Sequence, residues 1–141
     1  MRITKEYLAG FVDGEGSITL YKRKDIRTKK GFTINAKFSI GNTNQDFMKE
    51  LNSCGGQPFI RKYNGENCKP LYELNIQDLK GIRVFLKAIQ PYLIIKKKQA
   101  ELMIEFIESR LSHKGSGYTE REMEITGLIT ALNKKGELVN K

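Results

Sequence analysis

Two stretches in the first third of the chain alternate between apolar and polar residues, and this pattern constrains the fold more than any other feature. Apolar Ile18 and Leu20 alternate with polar residues, and the stretch from Phe32 to Gly41 repeats the pattern. Successive side chains of a strand point to opposite faces. We therefore predict strands over Ser17 to about Lys24 and over Phe32–Gly41, forming a hairpin joined by the polar segment from Asp25 to Gly31.

A second hairpin and several helices are predicted farther along the chain. Gln57–Tyr63 and Leu71–Gln77 are predicted to pair through a turn at Asn64-Gly65. Helices are predicted at about 4–14 with Thr4 as cap, from Asn44 to Ser53, from Asp78 to the stop at Pro91, from Lys96 to Leu111, and at about 118–133 with Thr119 as cap. We predict that Gly14 and Gly16 break the first helix. Residues 1–141 then form a single α+β domain with a four-stranded antiparallel sheet.

Charge favours a polyanionic partner. Twenty-five Lys and Arg residues against sixteen Asp and Glu residues give a net charge of +9, and such an excess attracts nucleic acid. Acidic lipid would also satisfy this charge, but the chain has no strongly basic amphipathic helix and no apolar stretch near the ~20 residues that span a bilayer. We expect an intracellular protein with no membrane partner. Two cysteines are too few for a disulfide framework or a four-ligand zinc site.

The predicted outward face of the sheet carries hydrogen-bonding side chains of varied donor and acceptor character. These residues are Thr19, Tyr21, Arg23, Thr33, Asn35, Lys37, Ser39, Arg61, Tyr63, Glu73, Asn75 and Gln77, with Arg27 in the first hairpin loop. A two-stranded ribbon fits the major groove of DNA, where Arg reads guanine and Asn or Gln reads adenine. A solvated polar sheet face gives the same pattern, so both interpretations stand at this point.

Residues 8–16 break several rules of helix formation together. Glycine inside a helix costs about 1 kcal/mol relative to alanine, and carboxylates at a helix C-terminus oppose the helix dipole. Such conflicts are expected mainly at functional sites. Small residues permit close approach of a second helix, and two copies about a two-fold axis would gather four carboxylates that bind divalent cations such as Mg²⁺. A helix that ends at Gly14 beside two solvated acids is the alternative.

The segment Leu8-Ala9-Gly10-Phe11-Val12-Asp13-Gly14-Glu15-Gly16 resembles the LAGLIDADG motif of homing endonucleases. The order of predicted elements is similar to that family's fold along essentially the whole chain. A weaker similarity lies in residues 86–93 and 96–100. The resemblance implies an αββαββα-type fold whose four-stranded antiparallel sheet is saddle-shaped, with the helices on one face.

The resemblance also implies a mechanism and a set of roles. It implies a homodimer that binds a long pseudo-palindromic site in double-stranded DNA and hydrolyses one phosphodiester per strand with Mg²⁺. Mn²⁺ is expected to substitute, Ca²⁺ to bind without cleavage, and no small-molecule cofactor is expected. The implied roles are metal binding by Glu15 and the Gly14 carbonyl, catalysis by Glu15, Asn42 and Lys96, joining of the helix end to the strand start by Asp13, and dimer contact by Leu8, Ala9, Phe11 and Val12. Aspartate is common in the family where this chain has Glu15.

Two other functions remain compatible with the sequence. Domains of this family also act as RNA maturases or as nucleic-acid-binding proteins that do not cleave. The presence of both Asp13 and Glu15 argues against loss of nuclease activity, and it leaves RNA splicing open.

Overall fold

The structure, a computed structural model, describes residues 3–52, 59–63, 71–113 and 117–139. The predicted turn at Asn64-Gly65 and the predicted start of the third strand at Gln57 lie outside these residues. The elements are α1 (Lys5–Glu15), β1 (Ser17–Lys24), β2 (Phe32–Asn42), α2 (Gln45–Asn52), β3 (Phe59–Tyr63), β4 (Leu71–Ile76), α3 (Leu79–Ile89), a 3-10 turn (Gln90–Tyr92), α4 (Lys97–Ser112) and α5 (Glu120–Val139).

The strands form one antiparallel sheet in the order β1-β2-β4-β3. In the first hairpin Ile18 lies opposite Phe38 and Leu20 lies opposite Ala36, so apolar residues of the two strands share one face. β2 continues the sheet through β4, where Ile40 lies opposite Leu74. The two strands and their hairpin are those predicted from the alternation, and the observed register keeps the apolar side chains on one face, because a slip of one residue would move them all to the other.

Helices cover the apolar face of the sheet and complete the core. Phe38 of β2 packs on Phe85 of α3 with ring centroids 4.8 Å apart. Met103 and Phe106 of α4 are fully or almost fully buried, and so is Ile125 of α5. The α+β class predicted from sequence is confirmed by this arrangement.

The helix caps follow the sequence, but two helix ends do not. The Thr4 hydroxyl accepts from the Tyr7 N–H, and the Asp78 carboxylate accepts from the Gly81 N–H, as predicted. The prediction that Gly14 breaks α1 was wrong: the helix continues through it and ends at Glu15. The chain leaves the helix at Gly16, which is extended and donates its N–H to the Val12 carbonyl, and a Cβ at this position would lie 2.8 Å from that carbonyl oxygen.

The last helix is longer than predicted. It extends to Val139 and not to about residue 133, and it continues through Gly136. The helix runs along the outer edge of β1, where the Asn133 side-chain amide donates to the Ile18 carbonyl at 3.0 Å. This bond satisfies one of the backbone groups that an edge strand leaves unpaired. No helix among the described residues is long and apolar enough to cross a membrane.

Candidate functional site

Asp13 joins the end of α1 to the beginning of α4. Its buried carboxylate accepts from the backbone N–H groups of Ile94 at 2.9 Å, Ile95 at 3.1 Å and Lys96 at 2.8 Å. These donors lie just before α4, so the carboxylate also faces the positive end of that helix dipole. The unfavourable position of Asp13 at its own helix C-terminus is thus offset by a second helix. The expectation that Asp13 joins the end of α1 to the start of β1 was wrong, because its carboxylate binds the segment before α4.

Lys96 lies at the same junction, immediately before α4. Its ammonium group donates to the Asp13 carbonyl at 2.8 Å, one peptide away from Gly14. An ammonium group has three donors, so this bond leaves donors for another ligand. The structure brings Lys96 to the end of α1, as its expected role requires.

Glu15 and Gly14 form the exposed end of α1. Both residues are exposed, in contrast to the buried Asp13. The last carbonyls of a helix have no donors within it, and here the Val12 carbonyl accepts from the Gly16 N–H while the Asp13 carbonyl accepts from Lys96. Among the oxygen atoms at this end of the helix, the Glu15 carboxylate and the carbonyls of Gly14 and Glu15 are not occupied by these hydrogen bonds.

Asn42 lies beside the middle of α1 and not at its end. It is the last residue of β2, and its side-chain oxygen accepts from the Asn44 N–H at 2.8 Å. It lines a shallow pocket of about 200 Å³ together with Tyr7, Phe11 and Phe47. Because Phe11 is one helical turn before Glu15, the structure places Asn42 beside the middle of α1, and the contacts described do not join it to Glu15 or Lys96.

The residues expected at a dimer contact require a correction. Leu8, Ala9 and Val12 are 6%, 0% and 0% exposed, so they are buried in the core of their own chain and have no surface to offer a partner. The exposed residues of α1 are Lys5, Glu6, Tyr7, Gly10, Gly14 and Glu15, and Phe11 is partly exposed. We call Tyr7, Gly10, Phe11 and Gly14, which are three or four residues apart along one side of the helix, the exposed α1 face. Their spacing of three and four residues was the sequence signal that would have identified them.

The polar face of the sheet is present over β1 and β2. Tyr21 and Arg23 are exposed, and the other predicted outward residues of the two strands are half-buried, namely Thr19, Thr33, Asn35, Lys37 and Ser39. In β3 the backbone register places Arg61 opposite Glu73 and Tyr63 opposite Leu71. The side chains of Arg61 and Tyr63 lie outside what the structure describes.

Three other predicted DNA contacts, Asn75, Gln77 and Arg27, differ in their exposure and in their hydrogen-bond partners. Asn75 lies on the polar face as predicted, opposite Ser39 of β2, but it is only 8% exposed and donates to the Glu73 carboxylate, so it is buried where an exposed side chain was expected. Gln77 follows β4 and is exposed. Arg27 is exposed in the first loop, where its guanidinium donates to the Asp25 carboxylate and lowers the pKa of that carboxyl group below its ordinary value.

Sequence reasoning missed a buried acid that fixes α5. Glu122 is fully buried and accepts from the Ser109 hydroxyl at 2.6 Å and from the Thr119 N–H at 2.8 Å, while the Thr119 hydroxyl accepts from the Glu122 N–H. Burial opposes ionisation, but these hydrogen bonds and Arg110 outweigh it and lower the Glu122 pKa. The reciprocal pair is a capping box, and its Thr-x-x-Glu spacing was the signal available in the sequence.

The model of the LAGLIDADG endonuclease family matches residues 8–107, from the first residue of the motif to the buried side of α4. This chain belongs to the LAGLIDADG endonuclease family. The resemblance inferred from the motif is therefore confirmed. The DNA endonuclease I-CreI of Chlamydomonas reinhardtii is 30% identical over 112 residues, which cover 78% of this chain. The chain spans 66% of that relative's length, slightly less than two thirds.

Solved structures of LAGLIDADG proteins share the fold at lower sequence identity. The homing endonuclease I-CvuI, solved in complex with the I-CreI target at 2 mM Mg with its DNA not cleaved, superposes with a TM-score of 0.65 at 18% identity, covering 92% of this chain and 94% of that one. I-SmaMI bound to cleaved DNA superposes with a TM-score of 0.70 at 21% identity, covering 89% of this chain but 42% of its own. The match thus covers nearly all of the I-CvuI chain, 94%, and less than half of the I-SmaMI chain, 42%.

Proposed function

We propose that this chain is the subunit of a homodimeric, site-specific endonuclease that cuts both strands of double-stranded DNA with divalent metal. One observation carries the proposal. At the end of α1, Asp13 is occupied by three backbone donors, whereas Glu15 two residues later is exposed and Lys96 donates to the intervening helix end at the Asp13 carbonyl. The two acids of the motif therefore have different tasks, and only Glu15 is available for chemistry.

The oxygen atoms at this end of α1 suit a hard divalent cation. A carboxylate and a backbone carbonyl are ligands that Mg²⁺ accepts, usually with water and substrate phosphate completing its shell. Glu15 and the Gly14 carbonyl would hold the ion. No group of three acidic, His or Cys side chains occurs within the described ranges, so a chain supplies few ligands by itself. This fits a metal held between two copies of α1 and the DNA.

When bound, the metal lowers the pKa of a water molecule and stabilises charge on the phosphate. The chain's own residues contribute position and charge. Asp13 fixes the end of α1 against α4 and so fixes the peptide that carries Gly14. Lys96 presents its ammonium group beside that peptide, where it would attract a phosphate oxygen. Asn42 is proposed to orient water or DNA from the middle of α1. We propose that Mn²⁺ replaces Mg²⁺ and that Ca²⁺ binds without cleavage.

The exposed α1 face is the proposed dimer contact. A Cβ added at Gly10 or Gly14 would meet nothing within 4 Å in the single chain, so neither glycine is required by the chain's own packing. Two glycines without side chains would let a second α1 approach closely about a two-fold axis. That arrangement places two copies of Glu15 near one axis, and it turns two sheets into one saddle-shaped surface for DNA.

The polar sheet face is the proposed DNA-reading surface. Exposed Tyr21, Arg23 and Gln77 and the half-buried polar residues between them present both donors and acceptors, as base-edge recognition requires. The dimer would carry a charge of +18, twice the +9 of one chain. This charge would draw the protein to DNA before any sequence is read.

Selection from a randomised duplex library tests the proposal. We expect incubation with Mg²⁺ to enrich cut molecules that share one pseudo-palindromic site, while Ca²⁺ yields the same site bound but intact. Cleavage of no duplex with Mg²⁺ or Mn²⁺, together with tight binding of structured RNA, would contradict the nuclease assignment and support an RNA maturase.

A further inference from the structure

The far end of the first hairpin extends beyond the rest of the sheet. β4 pairs with residues 38–42 of β2, whereas residues 32–37 pair with β1 alone among the described strands. The Tyr118 hydroxyl accepts from the Ile34 N–H at 2.7 Å and so takes up one backbone donor of this segment. We call residues 21–24 and 32–35 the distal hairpin. A side chain from just before α5 is thus bonded to a part of β2 that β4 does not reach.

The Tyr118 ring also packs on the distal hairpin. It stacks on the Phe32 ring, with the ring centroids 6.0 Å apart and the planes 9° apart. The Arg110 guanidinium lies 4.4 Å from the centre of the Tyr118 ring, and the Lys22 ammonium group lies 5.1 Å from the centre of the Phe32 ring. Contacts between aromatic rings and between cations and rings are both favourable at these distances. Two rings and two cations therefore hold the segment before α5 against the hairpin.

The backbone on either side of Tyr118 is fixed by α4 and α5. Gly117 has a φ of +117°, which residues with a side chain rarely adopt, and its carbonyl accepts from the Arg110 guanidinium at 2.8 Å. Thr119 exchanges two hydrogen bonds with the fully buried Glu122. Because both neighbours of Tyr118 are held in this way, the position of its hydroxyl is set by the helices and not by the hairpin.

The distal hairpin carries part of the polar sheet face. In the register of the two strands Tyr21 lies opposite Asn35, and Arg23 lies opposite Thr33. Tyr118 lines a cleft of about 420 Å³ together with these four residues. Successive side chains of a strand point to opposite faces, so a shift of the backbone at its bond to Tyr118 would move the side chains proposed to read bases.

The distal hairpin is far from the proposed metal site. β1 begins at Ser17, two residues after Glu15, and Arg23 is six residues farther along the strand. At about 3.3 Å per strand residue this separation is about 20 Å, which corresponds to about six base pairs of DNA. A contact that positions the distal hairpin would therefore act on base recognition away from the cut and not on the chemistry.

We propose that Tyr118 is a positioning residue for sequence recognition. Through its bond to Ile34 it sets the position of the distal hairpin against the DNA, and so sets the discrimination among bases in the outer part of each half-site. The inference rests on the proposed function. It gives a role in specificity to a residue outside the sheet and beyond residues 8–107, which the family model matches. The role requires no contact between Tyr118 and DNA.

Hydrogen exchange of the Ile34 amide in Tyr118→Phe tests the first step without DNA. The substitution removes the hydroxyl and keeps the stacked ring. We expect the amide to exchange about twofold to tenfold faster, the factor that corresponds to one neutral hydrogen bond. Arg121→Gln is the matched control, because it breaks the ion pair with Glu105 that joins α5 to α4 and leaves Tyr118 in place. Exchange of Ile34 at the wild-type rate in Tyr118→Phe would overturn the inference.

Binding selection from duplex libraries in Ca²⁺ tests the second step. Arg23→Ala marks the base pairs that the distal hairpin reads, as the positions whose preference it changes; if no position changes, the inference is wrong. A wrong base pair typically weakens binding about fivefold to about 150-fold. We expect Tyr118→Phe to reduce this factor at least about threefold at the marked positions and to leave it unchanged beside the cut. Arg121→Gln should keep the wild-type preference at both.

The rate of cutting distinguishes positioning from catalysis. With Mg²⁺ and saturating protein, Tyr118→Phe should cut the bound target within about twofold of the wild-type rate, because the ends of α1 and β1 are unchanged. A loss of cutting at saturation with unchanged base preference would place the effect of Tyr118 on the chemistry and would overturn the inference.

The remaining outcomes separate the role of Tyr118 from the nuclease function. Faster Ile34 exchange with unchanged preference at the marked base pairs would make Tyr118 a residue of the fold only. Equal loss of affinity on every duplex would make it a contact to phosphate. Each of these results overturns the inference and leaves the nuclease proposal standing if the wild type cuts. If the wild type binds and cuts no duplex, the proposed function fails, and the role in recognition fails with it.

Discussion

Replacing Asp13 with alanine should destabilise the fold strongly, although the residue lies in a motif associated with catalysis. The substitution removes three hydrogen bonds of 2.8 to 3.1 Å from a buried carboxylate to backbone N–H groups. Loss of a helix cap costs about 0.5–2 kcal/mol, and hydrogen bonds to a charged group contribute about 1.5–3 kcal/mol. Ile94 and Ile95 are exposed, so water can replace some of the lost hydrogen bonds to their N–H groups. We therefore expect the free energy of unfolding to fall by about 2–4 kcal/mol.

Urea unfolding followed by circular dichroism measures this loss directly. The unfolding midpoint should fall while the slope with denaturant stays constant, because the surface exposed on unfolding is unchanged. Asp13→Asn retains one acceptor and should lose less. Glu15→Ala is the control, since an exposed side chain normally changes stability by no more than about 0.5 kcal/mol. A loss below about 1 kcal/mol for Asp13→Ala would refute the claim that this carboxylate joins α1 to α4.

Three further substitutions test other parts of the account. Because the Glu122 pKa is lowered, the stabilisation that its carboxylate gives the folded chain is full above the ordinary pKa of 4.5 and is lost as the pH falls below it. The stability advantage of the wild type over Glu122→Gln should therefore shrink between about pH 5 and pH 3 in urea titrations. An advantage independent of pH would contradict this. Tyr118→Phe removes the hydroxyl that accepts from the Ile34 N–H at 2.7 Å and should cost about 0.5–1.5 kcal/mol in the same assay, whereas an unchanged midpoint would show that water replaces the hydroxyl. Gly14→Leu should leave the folded chain intact but shift sedimentation from dimer to monomer, and a persistent dimer would exclude the exposed α1 face as the contact.

Much of the fold was predictable because its signals are local. Alternation in residues 17–24 and 32–41 predicted two strands that form a hairpin, and the capping residues Thr4 and Asp78 predicted two helix starts. These features depend on neighbours only a few residues away. A period of two or a cap three residues ahead is visible without any tertiary structure.

The errors arose where distant residues meet. Asp13 is bonded to residues more than eighty positions later, and no local pattern in the sequence encodes that contact. Leu8 and Val12 are apolar residues of the motif helix, which fits a contact with a partner as well as burial in the chain's own core, and the structure buries them in that core. Asn75 alternates correctly with Leu74 and Ile76, yet it is buried, because alternation gives the face of the sheet and not what covers it. The motif itself identified the family.

The central claim is that Glu15, and not Asp13, supplies the acid that holds metal at the DNA. Glu15→Gln tests it most directly, measured as Mg²⁺-dependent cutting of the selected duplex together with binding of that duplex in Ca²⁺. The account predicts that cutting is abolished while DNA affinity changes no more than about threefold, because the substitution leaves the polar sheet face untouched. Cutting by Glu15→Gln at the wild-type rate would contradict it.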